Sequence, residues 1–161
     1  SLLRLPPASS PVSELTSRRF EPVLADPNAA DRRGENRRLI LCSGKVYYDI
    51  QSSKRRDEAP HVAAARLEEI YPFPREHLST LVARYPGVEE VVWVQEEPRN
   101  MGALTFAGPR LRAAVPREVR LRHVARPERA STAEGKASDH AAEQARIVRD
   151  ALGLAPDAET D

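Results

Sequence analysis

Three short apolar runs constrain what this chain can fold into: Leu39-Ile40-Leu41-Cys42, residues 62–67 and Val91-Val92-Trp93-Val94. Each is too short for a buried helix and is stopped by turn-forming or polar residues, so each reads as a buried strand. The third, β-branched and aromatic, is the clearest strand of the chain. The stretches between them have helical spacing. Val46, Tyr47 and Ile50 share one side of a helix expected over 45–56. Leu78, Leu81 and Val82 share one side of another, which Pro74 opens and Tyr85-Pro86-Gly87 closes. A weaker helix is expected over 103–114. Gly108-Pro109 falls inside it, and an interior proline costs about 3 kcal/mol, so a kink or restart is expected there. Residues 119–124 read as a further strand, and 128–137 as a loop with a short edge strand. Ser138 is expected to cap a last helix with Ala141, Ala145, Val148 and Leu152 on one stripe. Alternating strands and helices of these lengths give an α/β fold of three layers, a mostly parallel sheet with helices on both faces and right-handed crossovers.

The 161 residues fit a single domain. Residues 1–37, rich in proline and charge, read as an extended arm that packs on a neighbouring domain. Residues 38–152 form the α/β domain, and 153–161 an acidic tail that frays. The chain begins without Met, which suits processing or a piece of a longer polypeptide. With 25 basic and 24 acidic residues the net charge is +1, so no single-sign field points to nucleic acid or anionic lipid. The run Lys54-Arg55-Arg56 is followed at once by Asp57 and Glu58 and reads as a solvated helix face. No apolar stretch approaches the roughly 20 residues of a membrane helix. Ser1-Leu2-Leu3-Arg4 is too short an apolar start for a signal peptide. The chain is therefore expected not to be secreted. Cys42, the single cysteine, reads as a buried strand thiol rather than a nucleophile and suits a reducing compartment.

Few residues point to chemistry. Ser43-Gly44-Lys45 stands at a strand-to-helix turn where a phosphate could meet helix amides. One Gly and one Lys are a weak signal, and a Gly serving a tight turn is the favoured reading. His61, His77, His123 and His140 have no ligand spacing, so no metal site is expected. No catalytic residue is assigned. Glu96 and Glu97 follow the best strand at its carboxyl end, where open α/β sheets bind ligands. They read either as a partner-binding or mutually perturbed pair, or as a polar turn orienting loops through backbone amides. Their residue types favour the second. Trp93 is most simply core.

Four stretches together carry a resemblance. They are Leu41-Cys42-Ser43-Gly44-Lys45-Val46-Tyr47-Tyr48-Asp49, Arg66-Leu67-Glu68-Glu69-Ile70-Tyr71-Pro72-Phe73-Pro74, Trp93-Val94-Gln95-Glu96-Glu97-Pro98-Arg99-Asn100-Met101-Gly102-Ala103, and His140 with Glu143-Gln144. In order and spacing they resemble the C-terminal domain of the E1 component of 2-oxoglutarate dehydrogenase, across nearly the whole chain. Departures are Leu104 where the family has Trp, Ala125 where it has Gly before Arg126-Pro127, and Glu69 where Gln is common.

The resemblance implies a transketolase-type C-terminal fold with a structural and regulatory role, without activity alone. It implies a full enzyme that uses thiamine diphosphate and Mg to decarboxylate 2-oxoglutarate, with cofactor and metal held outside this chain. The implied partners are the remaining E1 domains, a second E1 subunit in a homodimer, the E2 succinyltransferase with its lipoyl domain, and acetyl-CoA or AMP as effector. Nucleic acid and membrane are not among them. It implies Arg75 and Arg84 as effector-binding residues, with Glu76 and Ala83 weakening that site, and Gln95, Glu96, Glu97 and Asn100 as an interface loop. A bacterial cytoplasm or a mitochondrial matrix is the implied location. Pyruvate dehydrogenase E1 shares the fold but fits the quoted motifs less well. The reading from a different class is a free-standing α/β module that binds a nucleotide or CoA ester.

Overall fold

The computed structural model describes residues 2–156. The sheet has five strands in the order β1-β3-β2-β4-β5. They are β1 (Val23–Leu24), β2 (Arg38–Cys42), β3 (Val62–Leu67), β4 (Glu90–Pro98) and β5 (Arg120–Arg126). The strands β3, β2, β4 and β5 are parallel, with Leu39 level with Ala63 on one side and Val91 on the other; β1 is antiparallel to β3. Alternation along each strand splits the core in two. Leu39, Leu41, Val91 and Trp93 face α3 (Arg75–Ala83) and α4 (Leu104–Ala114). Ile40, Cys42, Val92 and Val94 face α2 (Val46–Gln51) and α5 (Ala137–Leu152). The three-layer α/β architecture is thus as the apolar runs require.

Several elements differ from expectation for local reasons. The arm carries structure: short 3-10 turns, a helix α1 (Val12–Ser17) and the strand β1. That strand supplies the sheet's minor edge, whereas residues 127–136 form no strand. The helix expected over 45–56 ends at Gln51, because Ser53 Oγ accepts from the Arg55 amide and starts a new turn. Arg56 consequently does not lie on a solvated helix face. It is half-buried and donates to the carbonyls of Ala59 and Val62. Helix α4 runs through Pro109 without interruption. The carbonyl deprived of its donor belongs to Thr105, which is exposed, so water can replace the lost bond. Ser138 does not cap α5, which starts one residue earlier without a side-chain cap. Its buried stripe is Ile147, Val148, Ala151 and Leu152, while Ala141 and Ala145 are exposed; Ile and Leu bury more area than Ala and set the helix's rotation. Part of the acidic tail, 157–161, lies outside the described residues.

Two glycines are required by backbone geometry. Gly44, at φ +78°, turns the chain from β2 into α2. Gly153, at φ +73°, ends α5, and the Leu154 amide then reaches back to the Arg149 carbonyl in a Schellman closure.

Asp26 fastens the arm to the sheet. Its side chain is fully buried and accepts from the amides of Asn28 (2.9 Å) and Ala64 (2.8 Å) and from Gln51 Nε2 (3.2 Å). Arg56 lies 3.6 Å away and balances its charge. Replacing Asp26 with Ala orphans a buried sheet amide and removes the carboxylate facing Arg56, which keeps only its carbonyl acceptors. We expect Asp26→Ala to lower unfolding stability by about 2–3 kcal/mol, read as a reduced urea midpoint, with Asp26→Asn retaining part of it.

Candidate functional site

The connections of this sheet define where a ligand would ordinarily sit. The chain leaves β2 toward α2 on one face and leaves β4 toward α4 on the other. Beyond the carboxyl ends of β2 and β4 the two exits diverge, which is the crevice in which open α/β sheets bind ligands. Ser43, Gly44 and Lys45 stand on one side of it and Gln95 and Glu96 on the other.

The crevice is occupied by the protein itself. Gln144, from α5, places its Nε2 2.7 Å from Asp49 Oδ2 and 2.9 Å from Glu96 Oε1. Carboxylates only accept, so the amide's NH2 must face them. The Gln144 Oε1 is buried and, among the described residues, has no hydrogen-bond partner. Lys45 Nζ closes the other side of Asp49 at 2.5 and 2.6 Å from its two oxygens. The arrangement holds two carboxylates apart with one amide and one ammonium. It is a fastening between α2, β4 and α5.

The remaining expected residues divide by role. Gln95 is 4% exposed and organises the loop after β4. Its Oε1 accepts from Trp93 Nε1 (3.1 Å) and from the Leu104 amide (2.9 Å), so it caps α4 from the strand. Its Nε2 donates to the carbonyls of Pro98 and Met101 at 3.0 and 2.8 Å. The loop-orienting role therefore falls to Gln95, and Glu96 bonds a side chain rather than backbone amides. Asn100 exchanges two bonds with the Arg129 backbone, at 2.9 and 3.2 Å, and ties the loop after β4 to the one after β5. Glu97 is exposed and lines a cavity of about 550 Å³ with Glu96, Arg126, Glu134, Lys136 and His140. Arg126 is buried at the back of that cavity. It donates to the Thr132 carbonyl and meets His140 Nδ1, which must accept because a guanidinium only donates.

Arg75 and Arg84 are not brought together. Arg75 Nη2 donates to the Ala113 carbonyl at 2.8 Å, where the last turn of α4 offers partial negative charge. Arg84 lines a groove of about 420 Å³ between the arm, at Phe20 to Ala25, and α3. Glu76 and His77 line the same groove. Cys42 is fully buried and burial pushes its thiol up to about 12, so it remains protonated and inert at neutral pH. Among the described residues no group of three or more His, Cys, Asp or Glu could hold a metal ion. No helix among them is long and apolar enough to cross a membrane.

Asp49 is the residue that the sequence reading passed over. Its signal was its position four residues after Lys45 at the start of a helix, where the two side chains must meet. We expect Gln144→Glu, which sets three carboxylates together, to lower stability by about 1–3 kcal/mol at pH 7. The new carboxyl is held above its unfolded value, so the deficit is complete at neutral pH and shrinks as pH falls toward about 4. Urea unfolding at both pH values reads it.

Comparison with known proteins places the chain. Residues 9–152 match the family described as 2-oxoglutarate dehydrogenase C-terminal. The chain is similar to the 2-oxoglutarate dehydrogenase E1 component of an Exiguobacterium species, at 42% identity over 154 residues. It is similar to those of Bacillus licheniformis, at 43%, and Bacillus subtilis, at 42%. Each alignment covers 94% of this chain and 16% of the relative, so the chain spans about a sixth of the length of these proteins. With the match running from the arm through α5, the chain belongs to the 2-oxoglutarate dehydrogenase C-terminal family.

Proposed function

We propose that this chain serves as the C-terminal structural and regulatory part of a 2-oxoglutarate dehydrogenase E1 component. The observation that carries the reading is the similarity to E1 components over 94% of the chain. The self-filled crevice supports a structural role: the position where this fold would bind a ligand is spent on fastening α2, β4 and α5. In this reading thiamine diphosphate and magnesium sit on other parts of the protein. When bound there, the cofactor supplies the decarboxylation of 2-oxoglutarate, and this chain contributes surfaces.

Those surfaces include exposed apolar side chains on the arm and on the loop before α3. Leu3 is 93% exposed, Leu15 76% and Tyr71 81%, large apolar side chains left to solvent at separate places on the chain. They are the positions against which the remaining E1 domains and a second subunit would pack. The bacterial relatives support a cytoplasmic setting.

The decisive experiment supplies the chain to an E1 protein deprived of this region. Decarboxylation of 2-oxoglutarate should return on mixing, while calorimetric titration of the isolated chain with thiamine diphosphate and Mg²⁺ should give no binding heat. Cofactor binding to the isolated chain, or failure to associate with the rest of E1, would favour a free-standing module. For effectors the groove retains Arg84 but faces it with Glu76, and Arg75 is committed to α4. Losing one charge-assisted bond costs about 1.5–3 kcal/mol. Acetyl-CoA or AMP should therefore bind the isolated chain weakly, and Arg84→Ala should abolish what remains; tight binding indifferent to that change places the site elsewhere.

A further inference from the structure

The sheet ends differently on its two sides. At one edge β1 is two residues long and leads directly into the strap that Asp26 anchors. At the other, β5 is seven residues long and, among the described residues, pairs only with β4. The Arg120 amide donates to the Glu89 carbonyl, on the β4 side. Backbone groups alternate sides along a strand, so those of Arg120, Arg122 and Val124 face β4, and those of Leu121 and His123 face outward. Open edges invite pairing, and charge is the usual means of selecting or refusing a partner.

Here the charge is of one sign. Arg120, Arg122 and His123 are exposed along the strand. Arg99, Arg122 and His123 also line a cavity of about 250 Å³ beside it, whose one carboxylate, Asp150, is already paired with Arg146 and Arg149. Among the described residues Arg99 and Arg120 have no ion-pair partner. Arg122 comes within 3.6 Å of Glu90, but that carboxylate is already held at 2.6 Å by Arg38. In a chain of net charge +1 this edge is a local cationic excess. Leu121 and Val124 are half-buried, one on each face, and give an incoming strand something apolar to cover.

We propose that the outer edge of β5 receives an extended acidic segment of a partner protein, added as a further strand. Main-chain bonds to Leu121 and His123 hold it. Its acidic side chains meet Arg120 and Arg122 on one face, and its alternate apolar side chains cover Leu121 on the other. A second copy of the chain fits badly. Antiparallel self-pairing centred on Leu121 sets Arg120 opposite Arg122, and centring on Arg122 sets that residue opposite itself; like charges directly opposite destabilise.

The test uses a capped peptide of alternating Glu and Val, matched in length to β5, against this chain. Expected are slowed amide exchange at Leu121 and His123 in NMR spectra and binding that weakens with salt. Arg120→Glu with Arg122→Glu should weaken it by about tenfold or more. His123→Pro removes one outward donor while sparing the β4 ladder, and should abolish peptide binding with thermal unfolding unchanged. The proposal is overturned if the peptide binds without protecting those amides or if a Lys–Val peptide binds equally well. It is likewise overturned if a single-stranded oligonucleotide or an anionic phospholipid vesicle binds the same arginines more tightly. Protection of those amides that rises with the chain's own concentration would replace the acidic partner with a second copy.

Discussion

Everything in this structure depends on burying β2 and β4 on both faces at once. Leu39, Ile40, Leu41 and Cys42 are fully inaccessible, as are Val91 and Val94. A strand with no solvent side demands a parallel neighbour on each flank and a helical layer above and below. Four apolar side chains in β2 thereby commit the chain to two helix pairs. The Ala63-Ala64-Ala65 stretch of β3 permits it, because small side chains let α2 and α3 approach both faces of the strand.

That commitment leaves polar groups only at the strand ends, and the ends are where α5 is pinned. Arg38, at the start of β2, pairs with Glu90 and donates to the carbonyls of Asp150 and Ala151, at 3.1 and 3.0 Å, closing the end of α5. Gln144, two turns earlier in the same helix, reaches Asp49 and Glu96 at the opposite ends of the strands. Helix α5 has no side-chain cap at its start and exposes the alanines of its first turns. Its attachment rests on these polar fastenings, on the contacts of His140 with Arg126 and of Arg146 with the Ala125 carbonyl, and on the stripe of Ile147, Val148, Ala151 and Leu152. The crevice at the switch between β2 and β4 is thus filled as a consequence of holding the last helix, and the site most often used for ligands in such folds is used here for assembly.

The parts legible from sequence were those set by short-range periodicity. The three apolar runs, the helix after Pro74 and the glycine turn at Gly44 follow from residue types alone. The parts that were not legible depend on contacts between distant residues. Nothing in residues 23–24 distinguishes a two-residue strand from a loop; Asp26, by reaching the Ala64 amide 38 residues away, decides it. The rotation of α5 was misjudged because its alanines mark a helical stripe as well as its larger residues do. The identity of Gln95 as the cap of α4 and of Gln144 as the filler of the crevice also requires the fold. The resemblance had named Gln95 only as part of an interface loop and Gln144 only as a motif residue, and the structure supplies a local role: each satisfies groups contributed by more than one element.

The nearly balanced charge hides a sorted one. Cations and anions are matched both across elements, Arg38 with Glu90 and Arg126 and Arg129 with Glu134, and within α5, Arg146 with Glu143 and Asp150. The Arg146 and Glu143 pair shows the coupling in both members. The hydrogen bond between them holds the carboxyl below its ordinary range and raises the guanidinium further. Matched pairs of this kind engage acidic residues such as Glu90 and Glu134, and among the described residues Arg99 and Arg120 are left without an ion-pair partner. A net charge of +1 is therefore the sum of a neutral interior and an uneven rim. Where the rim coincides with an open strand edge, charge and backbone hydrogen bonding act on the same partner, and selectivity there follows from geometry that a charge count cannot register.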